Sequence, residues 1–150
     1  MIRSILIGLA AGQRAMSPLP VIAGAFRRKK AEASGPFALM AHPLVAAGAV
    51  ALSAAEMAGD KMKTAPDRIV PVGLVARAAT GAFAGAALAD EGRWRTGALL
   101  GAAASVASSY VGFALRVRAM RRYGQTATGF VEDALVLGGA WAAATAQRTA

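Results

Sequence analysis

The residues of this sequence that could do chemistry are charged side chains set within or beside apolar stretches. They are Arg14, Glu56, Asp60, Arg77, Glu132 and Asp133, with Lys61 adjoining. Arginine keeps its proton, so a buried arginine needs a carboxylate, backbone carbonyls or water as its partner. Such residues can support ion pairing, attraction of an anion, or proton exchange on a carboxylate. The competing interpretation is a static ion-pair network that fixes the register of the helices.

The sequence shows no arrangement typical of catalysis or metal binding. No nucleophile–base pair, phosphate-binding loop or cysteine–histidine cluster is visible, so we expect no catalytic residue and no enzyme. The carboxylates could attract a hard cation such as magnesium, but their spacing matches no closed motif and Arg77 would compete for them. His42 stands alone beside Pro43 and is expected at a helix end. We therefore expect no metal site and no cofactor.

The composition indicates a membrane protein. Of 150 residues, 56% are hydrophobic and 17% are charged, whereas about a quarter of a soluble domain is charged. The apolar residues form long blocks, which in water would leave large exposed patches. At this length we expect one integral membrane domain, residues 1–150.

The positive charge also favours a membrane. The net charge of +9 gathers in short connectors, as beside anionic headgroups, and not in a stripe on a soluble fold. We expect the lipid bilayer as partner and no nucleic acid. The candidate run for binding anionic headgroups is Arg27, Arg28, Lys29 and Lys30.

Four stretches are long enough to cross a hydrocarbon core, which takes about 20 helical residues. They are residues 37–58, 69–89, 96–115 and 127–146, and the basic stretch 116–126 is expected to be a connector. The predicted fold class is all-α, a polytopic transmembrane helical bundle of four or five spans. The number depends on the first segment.

That first segment, residues 2–26, has a predicted break near Ser17 and Pro18. Ser17 can cap a second half-helix, and Pro18 suits its first position. The residue before a proline avoids the α region, so the first half-helix is expected to end at about residue 15. Broken backbone at membrane depth must be buried in protein or line a water-filled cavity. The segment is therefore either a kinked span or a pair of half-helices that re-enters on the same side.

Three pairs of glycines predict close packing of helices. They are Gly8 with Gly12, Gly81 with Gly85, and Gly97 with Gly101. A spacing of four places both glycines on one helix face, where helix backbones can approach each other. The pairs predict a compact bundle, and they also make a homo-oligomer plausible through the same faces.

Three stretches of the chain resemble a bacterial membrane-protein family, domain of unknown function 4126. They are residues 8–18 (GLAAGQRAMSP), residues 56–68 (EMAGDKMKTAPDR) followed by 73–85, and residues 131–134 (VEDA). The resemblance implies a small multi-pass protein of the bacterial inner membrane with no established activity. Its recurrent charged positions map onto Arg14, Glu56, Asp60, Lys61, Arg68, Arg77, Glu132 and Asp133. Gln13 departs from the more apolar residue expected before Arg14.

The leading functional expectation is a small transporter or channel for a small ion or anionic solute. Its polar pathway would run past Arg14, Arg77 and the adjacent Glu132 and Asp133, and helix N-termini at the broken segment would add positive potential. The alternative is a non-transporting scaffold or lipid-binding protein that assembles through the glycine-rich faces. A water-lined cavity around the arginines would favour transport, whereas a dry and fully paired cluster would favour the alternative.

Overall fold

All regular structure in the described part of the chain is helical, as the sequence predicted. The computed structural model describes residues 1–28, 37–59 and 70–145. Besides a short 3-10 helix, Ala38–Ala41, it contains α1 Ile2–Gln13, α2 Pro18–Arg28, α3 Pro43–Gly59, α4 Pro71–Ala87, α5 Trp94–Tyr123 and α6 Gln125–Thr145. Among the described helices, α5 alone is long and apolar enough to cross a membrane, while α1 and α3 are apolar but shorter.

Prolines and glycines set several of the helix ends. Pro18, Pro43 and Pro71 each begin a helix, where the missing N–H group has no intrahelical acceptor to lose. Gly92 and Gly124 have φ angles of 72° and 80°, which side chains rarely allow. The chain therefore turns at glycines just before and just after α5.

Helix α5 continues to Tyr123, past its predicted end at residue 115. The predicted connector, residues 116–126, was wrong, because Gly124 alone separates α5 from α6. Arginine and methionine are good helix formers, and residues 116–123 contain no helix breaker. Arg121 and Arg122 also lie in the last turn, where the helix dipole favours positive charge.

The close contacts between helices show the relative directions of α1, α4 and α5. Gly8 and Gly12 of α1 lie against Gly101 and Ser105 of α5, so the residue numbers of the two helices rise in the same direction. Gly81 and Gly85 of α4 lie against Gly101 and Gly97, so the residue numbers of α4 rise as those of α5 fall. Helices α1 and α5 are therefore parallel, and α4 runs against both.

Helices α1 and α2 form a hairpin that turns back inside the bundle. Near the start of α1, Arg3 donates hydrogen bonds to the carbonyls of Ala143 and Ala144 in α6. At the end of α2, the Arg28 guanidinium lies 4.0 Å from the ring centroid of Trp141, less than a turn from Ala143 and Ala144. Since the beginning of α1 and the end of α2 meet the same end of α6, the chain reverses direction within residues 2–26.

The tightest packing lies where α1, α4 and α5 meet, which we call the small-residue junction. Its residues recur at a spacing of four: Ser4, Gly8 and Gly12 on α1, Gly81 and Gly85 on α4, and Gly97, Gly101 and Ser105 on α5. A Cβ atom on Gly101 would collide with the carbonyl oxygen of Gly81 and lie 3.0 Å from Cα of Gly85. The six predicted glycines thus pack within one chain, and a second copy would have to use other surfaces.

Candidate functional site

The turn between α1 and α2, residues 14–17, is where buried charge is concentrated. Arg14 follows the end of α1 in an extended conformation, with φ −141° and ψ 110°. It is 1% exposed, and its Nη2 atom lies 2.7 Å from Oδ1 of Asp133 in α6, which is 7% exposed. A charge removed from water needs an opposite charge nearby. The sequence singled out both residues, and the structure joins them in one ion pair that ties the turn to α6.

Glu56, near the end of α3, binds the backbone of the turn. Its Oε1 atom accepts the N–H of Ala15 at 2.8 Å, and its Oε2 atom accepts the N–H of Met16 at 2.9 Å. These N–H groups lie just before α2, where helix N-termini leave donors without an intrahelical partner. A carboxylate also complements the positive end of the α2 dipole. Glu56 therefore ties the turn that leads into α2 to α3.

Ser17 strengthens the contact between the turn and α3. Its Oγ atom lies 3.4 Å from Oγ of Ser53, and both side chains are buried. Ser53 and Glu56 are three positions apart and so share a face of α3. One face of α3 thus contacts both ends of the turn.

Polar side chains hold the last turn of α1 against α5. The Ser108 Oγ atom lies 2.8 Å from the Leu9 carbonyl oxygen, and the Ser109 Oγ atom lies 3.0 Å from that of Gly12. In return, Gln13 donates from Nε2 to the Ser108 carbonyl at 2.6 Å. The last four carbonyls of a helix lack intrahelical donors, and the Ser109 hydroxyl supplies a donor for one of them, that of Gly12.

These serines were not predicted as contact residues from the sequence. A usable signal existed, because Ser105 and Ser109 continue the four-residue spacing of Gly97 and Gly101 along the same helix face. Ser4 stands in the same register before Gly8, and its Oγ atom lies 2.9 Å from the carbonyl oxygen of Gly85. Small polar residues at glycine spacing thus mark interhelical hydrogen bonds.

Arg77 lies in α4 near the height of the turn. Its backbone carbonyl is 2.9 Å from Oγ of Ser105, and Ser105 packs directly against Gly12. Arg77 is 8% exposed. This places its side chain in the interior of the bundle, where a charge within an apolar stretch is expected to lie.

Glu132 and Asp133, grouped in one predicted pathway, contact different helices. The Glu132 Oε2 atom lies 3.3 Å from Nη1 of Arg116 in α5, whereas Asp133 faces Arg14. Neighbouring residues on a helix do not face the same way. Arg116 was not predicted as the partner of Glu132, because it lay in the predicted connector, residues 116–126.

Several predicted site residues lie outside the described residues. They are Asp60, Lys61, Arg68, Lys29 and Lys30. Of the predicted headgroup run, Arg27 and Arg28 are described, and both are exposed at the end of α2. Within the described ranges, no group of three or more potential metal ligands lies close enough to hold a metal ion.

An apolar cleft of about 990 Å³, which we call the lateral cleft, lies between α1, α5 and α6. Exposed apolar side chains form much of its walls: Leu6, Leu9, Val111, Leu115, Val131 and Leu135. Arg116 and Glu132 line it nearer to the Gly124 turn. Helices α5 and α6 contact each other less than each contacts α1. The two helices therefore diverge around α1 and leave the cleft between them.

Comparison with known proteins gives one match. The family described as "Domain of unknown function (DUF4126)" matches residues 2–147. No curated protein and no solved structure matches significantly. The match confirms the resemblance found in the motifs, and it includes the turn, the small-residue junction and the lateral cleft.

Proposed function

We propose that this chain, which belongs to the DUF4126 family, is a multi-pass membrane protein that binds a lipid chain in its lateral cleft. The main support for the proposal is that polar and charged side chains are buried while large apolar side chains are exposed, the reverse of a water-soluble protein. Its buried polar and charged residues include Ser4, Arg14, Ser17, Ser53, Arg77, Ser105, Ser109 and Asp133. Large apolar side chains face outward, with Val72 81% and Leu44 77% exposed. Water would penalise this arrangement, whereas a bilayer favours it.

In this proposal, four helices cross the bilayer and the α1–α2 hairpin enters it from one side. Helices α3 and α4 have 17 residues each, α5 has 30 and α6 has 21, and spans take about 17–25 residues or more. In the most apolar 18-residue stretch of α5, 28% of the residues are buried, so most of this stretch would contact lipid. Helix α1 has 12 residues, or about 18 Å, which is too short for a span. The resemblance to bacterial proteins suggests the inner membrane.

The state of the buried charges favours lipid binding over transport. Arg14 is paired with Asp133, and Glu56 binds two backbone N–H groups. The lateral cleft, by contrast, is walled mainly by leucine, valine and alanine. Apolar walls bind an acyl chain through the hydrophobic contacts and dispersion that any apolar ligand makes. Ligands for an ion are few, because the lining includes only a handful of polar side chains, among them Gln13, Arg116 and Glu132.

Gly139 offers a direct test. It lines the cleft, and a Cβ atom at this position would meet nothing within 4 Å. Gly139→Phe should obstruct the cleft at this position and reduce lipid retention without disturbing the fold. The matched control is Gly138→Phe, because Gly138 is equally open but does not line the cleft.

The measurement is native mass spectrometry of protein purified from membranes in a mild detergent. We expect a retained lipid on the wild type and on the Gly138→Phe variant, and much less lipid on Gly139→Phe. Equal lipid retention by all three proteins would exclude the lateral cleft as the binding site.

Transport past the turn is the second candidate function. It is favoured by the re-entrant hairpin, because broken helices that meet buried arginines also occur at transporter sites. Arg77→Ala or Glu132→Gln should then abolish anion flux into liposomes while the protein stays folded. Unchanged flux in both variants would remove this candidate.

A further inference from the structure

We infer that the lipid in the lateral cleft is an anionic phospholipid, with its headgroup at the arginines that end α5. The inference rests on the proposed function and names the class of lipid that the cleft binds. It depends on the charge at one end of the cleft, on the helical register of the arginines and on their distance from the opposite end of α5.

The end of the cleft near the Gly124 turn is positively charged. The last eight residues of α5 contain four arginines: Arg116, Arg118, Arg121 and Arg122. Among the described residues, Glu132 is the one acidic residue that lines the cleft, and Arg116 already pairs with it at 3.3 Å. The remaining charge at this end is positive, and the rest of the wall is mostly apolar. This combination matches an anionic headgroup attached to an acyl chain.

Two of the arginines extend the apolar wall of the cleft. Arg122 follows the lining residues Leu115 and Ala119 by seven and three positions, and Arg118 lies three positions after Leu115. Residues three, four or seven apart share a helix face, so both arginines lie along the edge of the cleft. Both are exposed. Arg122 also lies 5.6 Å from the ring centroid of Tyr123, another lining residue.

The distance along α5 places these arginines in the headgroup layer. The uncharged part of α5 lies between Arg95 and Arg116, about 32 Å apart along a helix, and a hydrocarbon core is about 30 Å thick. With Arg95 at one interface, Arg118 and Arg122 extend beyond the other. The guanidinium group binds phosphate oxygens in pairs, which suits a phospholipid.

The test compares lipids that differ in headgroup alone. The protein is reconstituted into nanodiscs with equal amounts of phosphatidylglycerol and phosphatidylcholine, then released into mild detergent for native mass spectrometry. The wild type should retain phosphatidylglycerol preferentially. Arg118→Gln and Arg122→Gln should each reduce this preference about fivefold, the effect of one basic residue near an anionic surface.

Arg121→Gln is the matched control for Arg122→Gln, because Arg121 lies two positions from each of the lining residues Ala119 and Tyr123, a spacing that turns it away from the cleft. It should change the preference less than about twofold. An equal loss in Arg121→Gln and Arg122→Gln would indicate a diffuse attraction and overturn the headgroup site. Thermal midpoints, measured alongside, should match the wild type because all three arginines are exposed.

The outcomes separate this inference from the proposed function. Lipid retained without headgroup preference, yet reduced in Gly139→Phe, would overturn the inference and leave the cleft as a lipid site. No retained lipid in the wild type, or a second protein copy in its place, would overturn both.

Discussion

Helices α1 and α5 pack in two contrasting ways on their two sides. Toward α4, in the small-residue junction, the facing residues are glycine and serine, and the backbones touch. Toward α6, the facing residues include leucine and valine, and a cleft of about 990 Å³ remains. The same two helices supply both regions. Side-chain volume along each face therefore decides where the bundle closes and where it stays open.

The two regions also differ in how polar groups are satisfied. In the junction, serine hydroxyls contact carbonyls of neighbouring helices, as Ser4 does at Gly85 and Ser105 at Arg77. In the lateral cleft, two charged side chains, Arg116 and Glu132, pair with each other nearer to the Gly124 turn. The comparison indicates a rigid junction and an adaptable cleft, and three predictions test it.

The largest effect is expected from Gly101→Leu. The new side chain would collide with the backbone of α4, which has no flexible end to move. The loss should exceed the about 1–3 kcal/mol usual for overpacked cores. Gly139→Leu, at the open cleft, should leave the thermal midpoint nearly unchanged. Tryptophan fluorescence during heating in detergent measures both, and similar midpoints would break the distinction between the two regions.

A smaller difference is expected between the two ion pairs. Asp133→Asn leaves Arg14 buried without its anion and should cost about 3–5 kcal/mol. Glu132→Gln acts on a longer pair with side chains 10% and 16% exposed, and should cost roughly 1–2 kcal/mol. The double variant Arg14→Met with Asp133→Leu should recover most of the stability that Asp133→Asn loses. Denaturant titration in detergent compares them, and equal losses for both single variants would contradict the assignment of Arg14–Asp133 as the buried pair.

A smaller effect than that of Asp133→Asn is expected where Glu56 binds the turn. Glu56→Ala removes an acceptor for two N–H groups and should cost about 2–3 kcal/mol. Glu56→Gln keeps one carbonyl acceptor and should cost less. Hydrogen exchange should accelerate at the amides of Ala15 and Met16 in both variants, more strongly in Glu56→Ala. Unchanged exchange at these amides would show that the turn is held by other contacts.

Much of the local structure was predictable because it depends on nearby residues. Pro18, Pro43 and Pro71 begin helices, and the break before Pro18 was predicted from the backbone limits of proline and its neighbour. The end of α5 was mispredicted because positive charge was taken as the sign of a connector. Gly124, the actual stop, was a weak signal in a chain with 17 glycines.

The site was predictable in its members but not in its pairings. Arg14, Glu56 and Asp133 stood out as charges in or beside apolar stretches, since each needs a partner wherever it is buried. That Arg14 meets Asp133, while Glu56 binds backbone, depends on contacts between distant parts of the chain. No local spacing encodes such a choice.

By itself, the sequence determined the helical class, the four-residue spacing of small residues and the presence of charges that need buried partners. These properties follow from composition and periodicity. The tertiary structure decided that α1 and α2 turn back, that the glycine faces close on one another within one chain, and that Glu132 and Asp133 contact different helices. Each of these depends on which helices become neighbours and in which direction they run, and that is settled by packing over the whole chain.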